Sequence, residues 1–173
     1  MPQARGAAEV SAKKGFSLEI DARVEHMLQA PQFGGEYLTY VLWAITPEGR
    51  PKNLGEMQMR GDDAHVHATT ELQAFALIVT AEPYFAVTQP SELVVLENVV
   101  RNTNEKVEAV GANYDLLKRG SYLRDQSAVF TARPIDPDTP LDLAEARNAV
   151  ALARIAGADQ YASESFVKAT GLL

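Results

Sequence analysis

Residues 37–59, YLTYVLWAITPEGRPKNLGEMQM, spell a strand, a tight turn and a second strand, and this succession decides the fold. From Tyr37 to Ile45 both faces are apolar, with Tyr37, Val41, Trp43 and Ile45 opposite Leu38, Tyr40, Leu42 and Ala44. A strand of that kind belongs inside a sheet that is covered on both sides. In Thr46-Pro47-Glu48-Gly49, proline supplies a φ of about −65° and glycine the positive φ with which the chain leaves, the chemistry of a type I turn with a following bulge. The chain then reverses into Asn53 to Met59.

The flanking sequence continues the β pattern. Phe16 to Val24 alternates, placing Phe16, Leu18, Ile20 and Ala22 on one side and Ser17, Glu19, Asp21 and Arg23 on the other. After the turn Arg60-Gly61-Asp62-Asp63, the run Ala64 to Thr70 alternates Ala64, Val66 and Ala68 with His65, His67 and Thr69. Strands from Tyr37, Asn53 and Ala64 are therefore expected to be consecutive and antiparallel. Phe75 to Ala81 and Leu93 to Val100 add two β-branched apolar segments, separated by breakers at Pro83 and Pro90. Val107 to Leu117 fits helical spacing as well as alternation, but Gly111 and Asn113 are poor helix formers and favour a strand closing back on Leu93 to Val100. About seven such strands make an antiparallel, immunoglobulin-like β-sandwich over residues 16–132.

Residues 1–15, MPQARGAAEVSAKKG, are small, polar and aperiodic, and read as a flexible leader with no apolar central segment of a secretory signal. The run RPIDPDTP, from Arg133, opens a different module over 133–173, a proline-rich linker and a short α-helical hairpin. Thr139 is placed to cap a helix with Pro140 at its first position, Asp142 as the acidic partner of a capping box, and Gly157 at its end. The alanine-rich buried side permits close approach to a neighbour. A second helix from about Ala162 sets Ala162, Phe166, Ala169 and Leu173 on one stripe, and the chain reads as ending inside that element. Such helices are marginal alone, since ~12 to 15 residues are needed even by good formers, so the pair is expected to dock on the sandwich or on a partner outside this chain, a homo-oligomer through these helices being one such arrangement.

A formal charge of −7 opposes a nucleic-acid surface, because phosphate binding needs the opposite field. Apart from Lys13-Lys14 and Lys118-Arg119, the positive residues are scattered over a solvated surface. Without cysteine there is neither a disulfide framework nor thiolate chemistry, and no apolar run approaches the ~20 residues that span a bilayer.

The run Tyr40-Val41-Leu42-Trp43, followed by Pro47, Gly49 and Gly55 and then by Phe85-Ala86-Val87-Thr88, resembles the extracytoplasmic sandwich domain at the C-terminus of RskA-type anti-sigma factors. The resemblance implies a β-sandwich outside the cytoplasmic membrane; it does not extend to the family's zinc-type sigma-binding segment or membrane span. Ala144-Glu145-Ala146-Arg147-Asn148-Ala149, through Ala156-Gly157-Ala158 to Tyr161-Ala162, is similar to the start of the helical-hairpin domain of unknown function that precedes OmpA-type domains in bacterial envelope proteins. Both resemblances imply the bacterial periplasm or cell envelope, and neither supplies functional residues.

Four constellations carry possible chemistry. His65 and His67, at i and i+2, project from one strand face with Asp62 and Asp63 close in sequence, a spacing usable by a metal; the competing reading is a solvent-facing row, and His26 is remote in sequence. Asp136, Asp138 and Asp142 suggest calcium but lack the glycine and terminal glutamate of an EF-hand loop, and helix capping explains Asp142 better. Glu19 and Asp21 share a strand face rather than facing one another across a cleft, as glycosidase acids do. Trp43 with Tyr37, Tyr40 and Tyr84 resembles a sugar-stacking platform, but a two-faced apolar strand places the indole in the core.

No residue is thus assigned to catalysis, to a cofactor or to a metal, and no cofactor is expected. The expected function is a non-catalytic spacer or protein-interaction unit of a larger envelope protein, with other envelope proteins or cell-wall components as partners. The alternative is a ligand-binding module for carbohydrate or a metal ion; a hydrolase with scattered carboxylates stands third.

Overall fold

The computed structural model describes residues 3–13, 15–99, 113–117 and 138–173. Eight strands lie among them in chain order: β1 (Arg5–Ala12), β2 (Leu18–Glu25), β3 (Thr39–Ile45), β4 (Pro51–Glu56), β5 (Gln58–Arg60), β6 (Asp63–Thr70), β7 (Ala76–Glu82) and β8 (Val94–Glu97). Helices α1 (Leu141–Ile155), α2 (Ala158–Tyr161) and α3 (Ser163–Gly171) follow. The strands form two antiparallel sheets, β1-β2-β6-β5 and β4-β3-β7-β8. This is the order of an immunoglobulin-type sandwich, A-B-E-D facing C′-C-F-G, with Trp43 on the strand that carries the buried tryptophan of that fold. The protein is mainly β with a short C-terminal helical part, as the sequence pattern predicts.

β3 is buried at every position. Its Tyr40, Leu42 and Ala44 meet Ile20, Ala22 and Val24 of β2 and Ala64 and Val66 of β6 in the inter-sheet core. Its other face, Val41, Trp43 and Ile45, packs with Ile78 and Val87 beneath Tyr84, Tyr114 and Leu116. Among the described residues, a loop and the segment 113–117 cover that second face. Asn53 fixes the loop, donating from Nδ2 to the carbonyls of Phe85 and Val87 at 2.8 and 2.9 Å. The 46–49 turn closes as expected, with Gly49 N donating to Thr46 O at 2.8 Å and Gly49 at φ +81°.

Several expectations are corrected. Asn53 to Met59 is not one strand: the chain leaves one sheet after Glu56 and joins the other at Gln58. Met57 lies between, buried, its N–H donating to Tyr40 O at 2.8 Å. An apolar side chain driven into the inter-sheet core marks the switch, and alternation alone does not distinguish that from a continuous strand. The supposed leader contains β1, a fully exposed edge strand paired from Arg5↔Glu25 to Ala12↔Leu18. It buries no face, so it carries no apolar periodicity, and backbone hydrogen bonds hold it. Phe16, grouped by alternation with Ile20, precedes β2 and is exposed.

Residues 107–112 lie outside the described residues, as do 118–137, which include most of the proline-rich boundary. Asn113 to Leu117 does not continue an antiparallel hairpin with β8. Leu117 instead bridges Ser91 in parallel, its N–H donating to Pro90 O at 2.8 Å. Pro140, not Thr139, is the N-cap of α1, and no side chain completes a capping box. Gly157 follows the C-cap with φ +85°, the left-handed exit glycine permits. Phe166 is the buried residue of α3, and the Arg154 guanidinium of α1 lies 5.3 Å from its ring centroid. Among the described residues no helix is long and apolar enough to cross a membrane.

Candidate functional site

The buried face of α1 is not simply alanine. Ala144, Glu145, Asn148 and Leu152 are its buried residues, and the i, i+3 spacing of Glu145 and Asn148 aligns two polar side chains toward the sandwich. Asn148 is satisfied: its Nδ2 donates to Glu36 O and to Pro83 O, both at 2.9 Å. These two carbonyls belong to the segments entering β3 and leaving β7, so one amide ties the helix to adjacent strands.

Glu145 is different. It is 1% exposed, and neither carboxyl oxygen makes a well-formed hydrogen bond among the described residues, although the Phe85 amide and the Glu56 carboxyl approach it. Ligand oxygens of Glu145, of Asp142 one turn earlier and of Glu56 at the end of β4 lie within 4.8 Å of one another. Asp142 is exposed and Glu56 half-buried, so the cluster runs from solvent to the packed interior. Thr39, across the sheet on β3, donates its hydroxyl to Glu56 Oε1 and sets that carboxylate's orientation. Burial is the largest cause that raises the Glu145 pKa to about 8, and the Glu56 carboxyl beside it is the second; the Phe85 amide draws it back and the Asp142 charge adds upward. Such a group either keeps a proton or holds a cation.

The sequence-derived candidates fall elsewhere. His65 and His67 project from the exposed face of β6, and neither joins a group of three metal-ligating side chains among the described residues. His67 instead lies 2.9 Å from Glu19 Oε1 and 3.9 Å from Asp21 on β2, a cross-strand polar row. Lys13 at 3.1 Å is the chief cause that lowers the Glu19 pKa. His26 pairs with Asp62 at 3.5 Å. Asp136 lies outside the described residues, and Asp142 meets Glu56 and Glu145 rather than loop aspartates.

Trp43 is fully buried, so no sugar platform forms there. Its Nε1 donates to Thr80 Oγ1 at 2.8 Å, Thr80 donates to Glu82 Oε1, and Ser91 N donates to the same oxygen at 2.7 Å. This internal chain pins the loop after β7 to the tryptophan. An open cleft of about 90 Å³ lies at the side where β1 and β8 form the sheet edges, aliphatic apart from Arg23, Glu97 and Asn98. It is smaller than the roughly 300–1,000 Å³ typical of small-molecule sites.

Sequence reasoning missed the acidic cluster because Glu56 and Glu145 are each unremarkable locally. The one available signal was a glutamate and an asparagine on the same helical stripe as Ala144 and Leu152. Compared with known proteins, the chain matches no family model, no curated protein and no solved structure at a significant level.

Proposed function

We propose that the chain is a non-catalytic module of the bacterial cell envelope or periplasm, working as a spacer or protein-interaction unit of a larger envelope protein. The observation that carries this reading is the seating of α1 on the sandwich by Asn148, which makes the helical part a fixed extension rather than a loose tail. A connector needs a sandwich that does not deform and a rigid exit for the chain. The likeness of residues 40–88 to the RskA-type sandwich, and of residues 144–162 to the hairpin preceding OmpA-type domains, supports the compartment. The partners are other envelope proteins or cell-wall components, and exposed Val167 and Leu172 on and after α3 offer a surface for a second copy.

Gel filtration with light scattering, joined to pull-downs from envelope extracts, tests the reading. Capture of a defined envelope protein or wall fragment supports it. A monomer that captures nothing and turns over a substrate overturns it.

A further inference from the structure

We propose that Glu56, Asp142 and Glu145 form a binding site for a divalent hard cation of the calcium class, at the joint between the sandwich and α1. The proposal does not rest on the connector reading. It stands on two independent observations: one oxygen from each of the three carboxylates lies within 4.8 Å of the others, and Glu145, 1% exposed, brings to that convergence a carboxyl without a well-formed hydrogen bond. A buried carboxyl without a well-placed donor is avoided in proteins unless a positive partner or a proton compensates it.

The donor set selects the ion. All three ligands are carboxylate oxygens, with neither imidazole nor thiolate among them, which suits calcium, magnesium or manganese and disfavours zinc or copper. Asp142 is exposed, so water can complete the shell from that side. A site shared by a strand end and a helix turn adapts more easily to the variable geometry of calcium than to the strict octahedron of magnesium. The N-terminus of α1 opposes a cation with about half a positive charge, which three carboxylates exceed. Thr39 holds Glu56 from one side and leaves its other oxygen for the ion. The charged groups facing Glu145 are Glu56 from β4 and Asp142 from its own helix, and a proton on Glu145 is the competitor.

Bound there, the ion would join the first two turns of α1 to the last residue of β4, a second tie beside Asn148. The test uses the full chain freed of metal by chelation, at a pH above 8, with calcium and magnesium chlorides in calorimetry and thermal unfolding. One calcium site and a rise in Tm of about 5 °C at millimolar ion are expected. Asp142→Asn, at an exposed position that leaves packing intact, should weaken binding roughly tenfold, and Glu145→Gln should abolish it. The double variant His65→Ala, His67→Ala should bind as the parent does. Absence of heat and of any Tm shift up to ~10 mM of either ion overturns the proposal, as does equal binding by Asp142→Asn or loss of binding in the histidine variant.

Discussion

Asn148, in the middle of α1, donates through Nδ2 to the carbonyl of Pro83 at 2.9 Å, and so joins residues that sequence places far apart. The same nitrogen donates to Glu36 O. Asn148→Ala removes both bonds and leaves two carbonyls in a packed interface, at a cost of about 1–3 kcal/mol. The loss falls on the joint. Hydrogen exchange should rise sharply in α1 while β3 and β7 keep their protection; unchanged exchange in α1 would show that the amide is not the anchor.

Thr80 is the central link of the chain from Trp43 to Glu82. Thr80→Val keeps shape but strands the indole N–H in the core, so a loss of about 1–3 kcal/mol is expected in urea unfolding. Thr80→Ser keeps the hydroxyl and should lose less than half of that. Equal losses in both would mean that packing of the methyl group counts for as much as the hydrogen bonds of the hydroxyl.

What the sequence made legible is what periodicity encodes. Thr46 to Gly49 announced a turn and Ala64 to Thr70 a strand with one wet face, and both stand as read. The strand with two buried faces is there from Thr39 to Ile45, but Tyr37 precedes it and packs in the inter-sheet core with Tyr40 and Leu42, not on the face of Val41 and Trp43. β1 stayed hidden because a strand that buries nothing has no hydrophobic signature. The switch of sheets at Met57 was hidden because side-chain alternation says nothing about which partner strand supplies the hydrogen bonds. The acidic cluster depends on tertiary contact between β4 and α1, which no local pattern records.

Gly49 has two reasons to be glycine: its φ is +81°, and a Cβ there would lie 2.0 Å from Asn113 O. Gly61 has only the first, at φ +68° with open space where a Cβ would stand. Gly61→Ala should therefore cost about 1 kcal/mol, the ordinary left-handed penalty, and Gly49→Ala clearly more, because the 113–117 segment must move as well. Thermal unfolding of the pair separates the two effects. Equal destabilisation would indicate that the segment yields freely.

Glu145 gives stability a specific pH dependence in chelator. Its folded-state pKa is raised from 4.5 to about 8, so the folded chain holds a proton that the unfolded chain has lost. Stability from this group is greatest below the unfolded value, falls as pH climbs toward 8 and levels off above it, with a total change of at most about 5 kcal/mol. Glu19, whose pKa is lowered, acts in the opposite sense and in a more acidic range, and it does not produce the fall. Urea midpoints from pH 5 to 9 should decline for the parent chain and decline less for Glu145→Gln, which has no proton to lose at that position. Calcium should restore the parent at the alkaline end and leave the variant unmoved. Parallel profiles for the two chains would mean that Glu145 is solvated in solution, and that the carboxylates at the joint are not coupled to folding.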